Sequence, residues 1–217
     1  RDELSRDVYK GTYEPAYSVV PDSITGANEA FKTVYGERPD VAKARQFLTG
    51  AGVQIPVVLN LQYNPDHYGV SSSEEYAALK DQLDGTGLFA VNLQSTEWVT
   101  YTAERVKDAY PLYQLGWFPD FPDADNYLTP FFLPENFIAN HFDVPAITAM
   151  ITAEATEPDP AKRAALIGQI QDELARNYIS TLPLLTGKQI AVADKDIGGI
   201  LLDKSFKFQF SPLEKHT

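Results

Sequence analysis

The chain has 217 residues, 44% of them hydrophobic, with 12 Tyr and 12 Phe to fill a core, so it folds and is not disordered. Its 18 basic and 30 acidic residues leave a net charge of −12 and no basic run, which excludes nucleic acid and acidic membrane surfaces as partners. It contains no cysteine, so disulfides, thiolate catalysis and thiolate-bound zinc are excluded, and no stretch of 18 apolar residues spans a membrane.

The opening residues, Arg1-Asp-Glu-Leu-Ser-Arg-Asp7, read as the middle of a helix over Asp2–Tyr9 and carry no signal-peptide pattern; the only methionine is Met150. A segment of a longer protein is therefore expected. The rest of residues 1–36 reads as irregular. Asp40 caps a helix running through Leu48, with Gly50 and Gly52 as stops and Val41, Ala44, Phe47 and Leu48 along one face. Ile55–Tyr63 alternates as a strand. Ser71 with Glu74 opens a helix bearing Tyr76, Leu79, Lys80 and Leu83, and Leu88–Gln94 is the next strand, completing a βαβ unit. Glu97–Val106 is a helix, with Trp98 anchoring its start, and Tyr110–Leu115 a buried strand. A short helix over Asn126–Phe132 precedes two longer ones, Val144–Ala155 and Ala161–Tyr178, the second opened by Asp159-Pro160. Leu182–Leu185, Gln189–Ala193 and Ile197–Leu201 are short strands. The pattern is one α/β domain over residues 1–217, a mixed β-sheet flanked by helices.

Between strand and helix lies Gly116-Trp-Phe-Pro-Asp-Phe-Pro-Asp-Ala-Asp-Asn126, a loop of carboxylates and aromatic rings. Loops at strand ends carry ligand sites in α/β proteins, and carboxylates beside ring faces suit a cation. Simpler readings stand beside this one. Asp120 also fits a turn between Pro119 and Pro122, Trp117 a core aromatic, and Asp123 and Asp125 turn formers or helix caps. A calcium loop is disfavoured, because its glycine and late glutamate are lacking. His67, His141 and His216 have no metal-ligand spacing and read as surface or turn residues.

The chain resembles the C-terminal half of the family 5 periplasmic solute-binding proteins, the dipeptide- and oligopeptide-binding components of ABC importers. The resemblance rests on Gly11-Thr-Tyr-Glu-Pro-Ala-Tyr-Ser-Val-Val-Pro21, on Pro39–Gly52, on Ala78–Gly87, on the Gly116–Asn126 loop, on Arg163–Ile170 and on Leu182–Leu185, together covering about residues 9–200. It implies one lobe of a Venus-flytrap fold, the second of two that close on a ligand about a hinge. The first lobe, an export signal and any lipid-anchor cysteine would lie outside residues 1–217. It further implies that Asp120 holds a peptide's α-ammonium and that Trp117 lines the pocket, with Gly116, Phe118 and Gln114 completing the ligand-contacting set. The expected partners are a peptide or other small solute and an ABC permease in the membrane. The expected location is extracytoplasmic, in the periplasm or as a cell-surface lipoprotein, with no cofactor, no metal and no catalysis.

Two departures accompany this reading. Gln114 is neutral, and no arginine in the loop is available to hold a ligand carboxylate, so that contact must come from elsewhere. Relatives with similar loops bind oligosaccharides, nickel complexes or other small molecules, and an oligosaccharide or other small solute is the alternative ligand. A glycoside hydrolase using Asp120 and Asp123 is the competing class, disfavoured because both carboxyls sit in one short loop. A purely structural interaction domain is the third.

Overall fold

The computed structural model describes residues 1–216. In chain order, a helical turn with π-type bonding (Leu4–Val8) is followed by β1 (Tyr13–Pro15), α1 (Ala30–Tyr35), α2 (Val41–Gly50), β2 (Val57–Tyr63), α3 (Ser72–Gly85) and β3 (Phe89–Ser95). Then come α4 (Trp98–Arg105), β4 (Leu112–Tyr113), α5 (Asp125–Phe132), α6 (Pro145–Thr156), α7 (Pro160–Asn177), β5 (Leu185–Gly187), β6 (Ile197–Gly198) and β7 (Glu214–Lys215). Where the sequence reads as a single domain, the chain packs as two compact units. One comprises Arg6–Tyr9 and Tyr35–Gly116, the other Arg1–Ser5, Lys10–Val34 and Trp117–Thr217.

The unit containing Tyr35–Gly116 is built on a parallel sheet of order β3-β2-β4. The βαβ expectation holds: β2 and β3 run parallel in register from Val57↔Phe89 to Tyr63↔Ser95. Leu61, Val91 and Tyr76 form its buried centre, with Leu79, Leu83 and Phe89 packed around them. The tail of α3 is laced to β3, since Lys80 donates to the Val91 carbonyl at 2.9 Å and Asp84 accepts from the Val91 amide at 2.8 Å. Ser71 makes no side-chain cap; the neighbouring Ser72 hydroxyl instead donates to the Asn64 carbonyl at 2.7 Å. Asp40 does cap α2, accepting from the Lys43 amide at 2.9 Å. The apolar face expected of α2 is not buried, and Phe47 is 67% exposed. The strand before the loop is shorter than expected, only Leu112–Tyr113, because the chain pairs with β2 just at Leu61↔Leu112 and Gln62↔Tyr113 before it turns away.

The other unit is mainly helical. Ile167, Ile170 and Leu174 bury one face of α7, while Ile147 and Ile151 bury one face of α6. Asp159 caps α7 as expected, accepting from the Ala161 and Lys162 amides at 2.9 and 3.1 Å. The buried Gln171 ties α7 to the N-terminal segment, hydrogen bonding Ser18 and donating to the Gly26 carbonyl at 2.7 Å. Among the described residues three elements escape the sequence pattern, α1, β1 and β7; β1 pairs antiparallel with β5. The parallel and antiparallel ladders lie in separate sheets, not in one mixed sheet, and Gln189–Ala193 forms no strand.

Gly26 sits at φ +90°, and a Cβ there would lie 2.7 Å from Ile167 Cγ2. Gly26→Ala is therefore expected to destabilise this unit by about 1–3 kcal/mol through strain and overpacking. Gly50→Ala, inside α2 with nothing within 4 Å, should be neutral or slightly stabilising. Urea unfolding of both variants checks the contrast.

Candidate functional site

The loop begins where β4 ends, and the boundary between the two units falls between Gly116 and Trp117. On the sheet side, Gln114 is only 7% exposed. Its Oε1 accepts from the Asn64 amide at 2.9 Å, its Nε2 donates to the Ser72 hydroxyl at 3.0 Å, and its carbonyl accepts from the Tyr101 hydroxyl at 2.6 Å. The structure thus gives Gln114 a different role from the ligand contact expected of it. Its amide is spent on satisfying backbone and hydroxyl groups at the sheet's end, where leaving them unpaired would cost about 1–3 kcal/mol each. Gly116 permits a close approach, since a Cβ at this position would lie 2.6 Å from the Tyr68 ring. Tyr68 packs edge-on against Trp98, which stacks on His67 at a centroid distance of 3.6 Å, so this histidine is an aromatic partner at the helix start.

On the other side of that boundary, one buried amide organises the loop. Asn126 Oδ1 accepts from the Trp117 indole N–H at 3.1 Å and from the Asp120 backbone N–H at 3.0 Å. The Trp117 ring is half-buried and packs edge-on against Phe131 and Phe137, at 5.0 and 5.9 Å. Trp117 is therefore an anchor with a remaining exposed surface. Pro119 is buried beside it. Asp120 is exposed, and among the described residues its carboxylate has no hydrogen-bond or ion-pair partner; only its backbone groups are engaged. Phe118 is 56% exposed and Phe121 47%. Asn126 went unrecognised at the sequence level because it reads as part of the following helix.

Asp123 is occupied. Its two oxygens accept from Arg163 Nη1 and Nη2, both at 2.7 Å, and Oδ1 also accepts from the Asp125 amide at 2.9 Å. This matches its reading as a turn former and cap. It removes Asp123 as the partner carboxylate of a hydrolase or as a calcium ligand, because a bidentate guanidinium already fills both oxygens. Arg163 also ion-pairs Glu154 at 2.9 Å, although neither Glu154 oxygen accepts a well-aligned hydrogen bond. The bond from Arg163 holds the Asp123 pKa below the ordinary aspartate value, outweighing partial burial. Burial pushes the Glu154 carboxyl up, only partly opposed by the charge of Arg163, and this side chain is 0% exposed. Asp125 accepts from the Thr129 hydroxyl at 2.5 Å and reads as a helix-start residue. Among the described residues no cluster of three His, Cys, Asp or Glu side chains is placed to hold a metal. A cleft of about 410 Å³ beside α6 and α7 is lined by Met150, Asp172 and Arg176 among others, and none of its lining residues belongs to the loop.

The family description of bacterial extracellular solute-binding proteins, family 5 Middle, matches residues 1–138. The chain belongs to this family. It is similar to the oligopeptide-binding protein OppA of Bacillus subtilis, with 23% identity over 212 residues that cover 93% of this chain and 38% of that protein. It is also similar to the periplasmic oligopeptide-binding protein OppA of Salmonella typhimurium, 23% identical over 167 residues that cover 75% of this chain and 30% of that one. In structure it matches a dipeptide-binding protein of Pseudoalteromonas sp. SM9913 solved with Met-Leu, with a TM-score of 0.80 and 20% identity, covering 99% of this chain and 42% of that one. That match shows the α/β periplasmic-binding-protein fold. The chain thus spans less than two-fifths of the two curated relatives, and both are binding proteins.

The shared arginine yields a pH-dependent prediction. Asp123, with its pKa lowered, contributes stability above its unfolded value, lost as pH falls through the folded one. Glu154, with its pKa raised, carries a cost when ionised that disappears as pH falls through its folded value. Arg163→Met removes the first contribution and enlarges the second cost. The expected loss at pH 7 is about 2–4 kcal/mol, below the range of a fully buried pair because Asp123 and Arg163 keep some contact with water. It should shrink on acidification to about pH 4, where both carboxyls of the variant approach neutrality. Thermal unfolding at the two pH values checks this, and equal losses at both would refute it.

Proposed function

We propose that residues 1–217 form the second, C-terminal lobe of a two-lobed extracytoplasmic solute-binding protein that captures peptides and delivers them to an ABC permease. The observation that carries this reading is the exposed Asp120 carboxylate. Among the described residues it has no partner of its own, yet its backbone is fixed by Asn126 and it stands beside the anchored Trp117. A rigid loop presenting an unpaired anion is prepared for a cation, and the α-ammonium of a peptide supplies one through a charge-assisted hydrogen bond. Trp117 and Phe118 line the contact, and Gly116 sets where the loop departs from the sheet. The protein acts by binding: contacts from both lobes stabilise a closed form, and the ligand shifts a pre-existing equilibrium toward it. The family membership and the peptide-binding relatives support this reading. The exposed rings of Phe118 and Phe121 favour one second reading, a small neutral solute such as an oligosaccharide held on aromatic faces.

Calorimetric titration of the full-length protein with a mixed tripeptide pool tests the proposal, with a maltooligosaccharide as the competing ligand. Asp120→Asn is expected to weaken peptide binding by about 10- to 150-fold, the equivalent of one charge-assisted bond, while leaving the unfolding curve unchanged. Unaltered peptide affinity in this variant, or heat from the sugar alone, overturns the peptide assignment.

A further inference from the structure

The cleft of about 410 Å³ beside α6 and α7 shares no residue with the loop, and its two walls differ in kind. Ile147 and Met150 come from α6 and give an apolar wall. Asp172, Glu173 and Arg176 come from α7 and share one face of it, since residues three and four apart are neighbours on a helix surface. That spacing ordinarily lets an acid pair with the base one turn later. Here no such pair forms. Among the described residues the Arg176 guanidinium has no ion-pair partner and no hydrogen-bond acceptor, and the last turn of α7 favours a cation without supplying a side chain to receive it. Each acid is half engaged. Asp172 Oδ1 accepts from the Asn28 side-chain amide at 3.3 Å and Glu173 Oε2 from that of Asn177 at 2.7 Å, whereas Asp172 Oδ2 and Glu173 Oε1 receive no donor among the described residues.

We propose that this cleft is a second small-molecule site, which takes a free α-amino acid with an aliphatic side chain. The inference does not depend on the peptide reading of Asp120. The cleft's volume falls in the range of about 300–1,000 Å³ common to small-molecule sites. The charges on its α7 wall decide the class. An anion alone gains Arg176 but is repelled by two carboxylates, and an amine alone gains the carboxylates but is repelled by Arg176. An α-amino acid carries both signs on one carbon and answers all three residues. Its ammonium donates to the open oxygens of Asp172 and Glu173, and its carboxylate accepts from Arg176. Acid and base stand one helical turn apart, with about 5–6 Å between Cβ atoms, a gap that one amino-acid head group bridges. The aliphatic side chain then lies along Ile147 and Met150, where leaving water favours it. Each further peptide residue separates the two ligand charges by up to about 3.3–3.6 Å, so longer peptides fit this spacing poorly.

Met150 is the only methionine of residues 1–217, so its methyl group reports on the cleft. The test is methyl NMR of the full-length protein carrying isotope-labelled methionine, with the Met150 signal identified by its loss in Met150→Leu. The probes are leucine, leucinamide, which lacks the anion, and isocaproate, which lacks the cation. Leucine is expected to shift the Met150 signal saturably and to bind about tenfold or more tightly than either of the others. Arg176→Gln should reduce leucine to the level of leucinamide, and Arg176→Lys should keep the preference for leucine. The Arg176 side chain is exposed and has no partner among the described residues, so both variants should unfold as wild type does. No shift with leucine, equal binding of the three probes, or an unaltered leucine titration in Arg176→Gln overturns the proposal. Any of these results leaves the reading of Asp120 standing, because the signal comes from a cleft that shares no residue with the loop.

Discussion

The loop of this chain depends on a single acceptor oxygen. Asn126 Oδ1 receives the indole N–H of Trp117 and the backbone N–H of Asp120, so one buried side chain sets both the angle of the ring and the path of the backbone that carries the carboxylate. Without it, two donors in a poorly hydrated place would have no acceptor, and a segment with two prolines and no strand pairing would have little else to define it. The Asp123–Arg163 pair fastens the same loop from its other end, tying it to the start of α7. Everything proposed for Asp120 follows from this division: neighbouring residues spend their polar groups on structure and leave one carboxylate uncommitted.

How much of this was legible in the sequence depended on range. Where the information is local, the reading succeeded. The Asp159-Pro160 start of α7, the Asp40 cap and the strand-helix-strand order of β2, α3 and β3 all follow from spacing within a few residues. It failed where a partner lies far away. Tyr110–Leu115 has the composition of a buried strand, but β2 offers it only two pairing positions. Gln114 looked available because its partners Asn64 and Ser72 stand about 40–50 residues earlier in the chain. Strand β1 has no strand-like run at all and exists because β5 pairs with it across the unit.

The same contrast holds within the candidate site. The motif Gly-Trp-Phe-Pro-Asp singled out Asp120 as the expected ammonium contact from its neighbours and a family resemblance, and the family match over residues 1–138 agrees with the family, not with the role of any one residue. Nothing local distinguishes Asp120 from Asp123 as a free acid. The difference is Arg163, which lies 40 residues away and reaches only one of them. Nor does any pattern in Lys204-Ser-Phe-Lys207 announce that it returns to the loop.

Two acids of opposite temperament share one guanidinium, and this arrangement acts as a reserve. When the surroundings turn acidic, Glu154 is the first to become neutral, since burial makes it eager for a proton. Its share of the positive charge is then released to Asp123, which is the slower to protonate. A protein working outside the cytoplasm meets such swings in acidity directly. The tether of the loop to α7 rests on Asp123, the acid that keeps its charge to lower pH than Glu154 does.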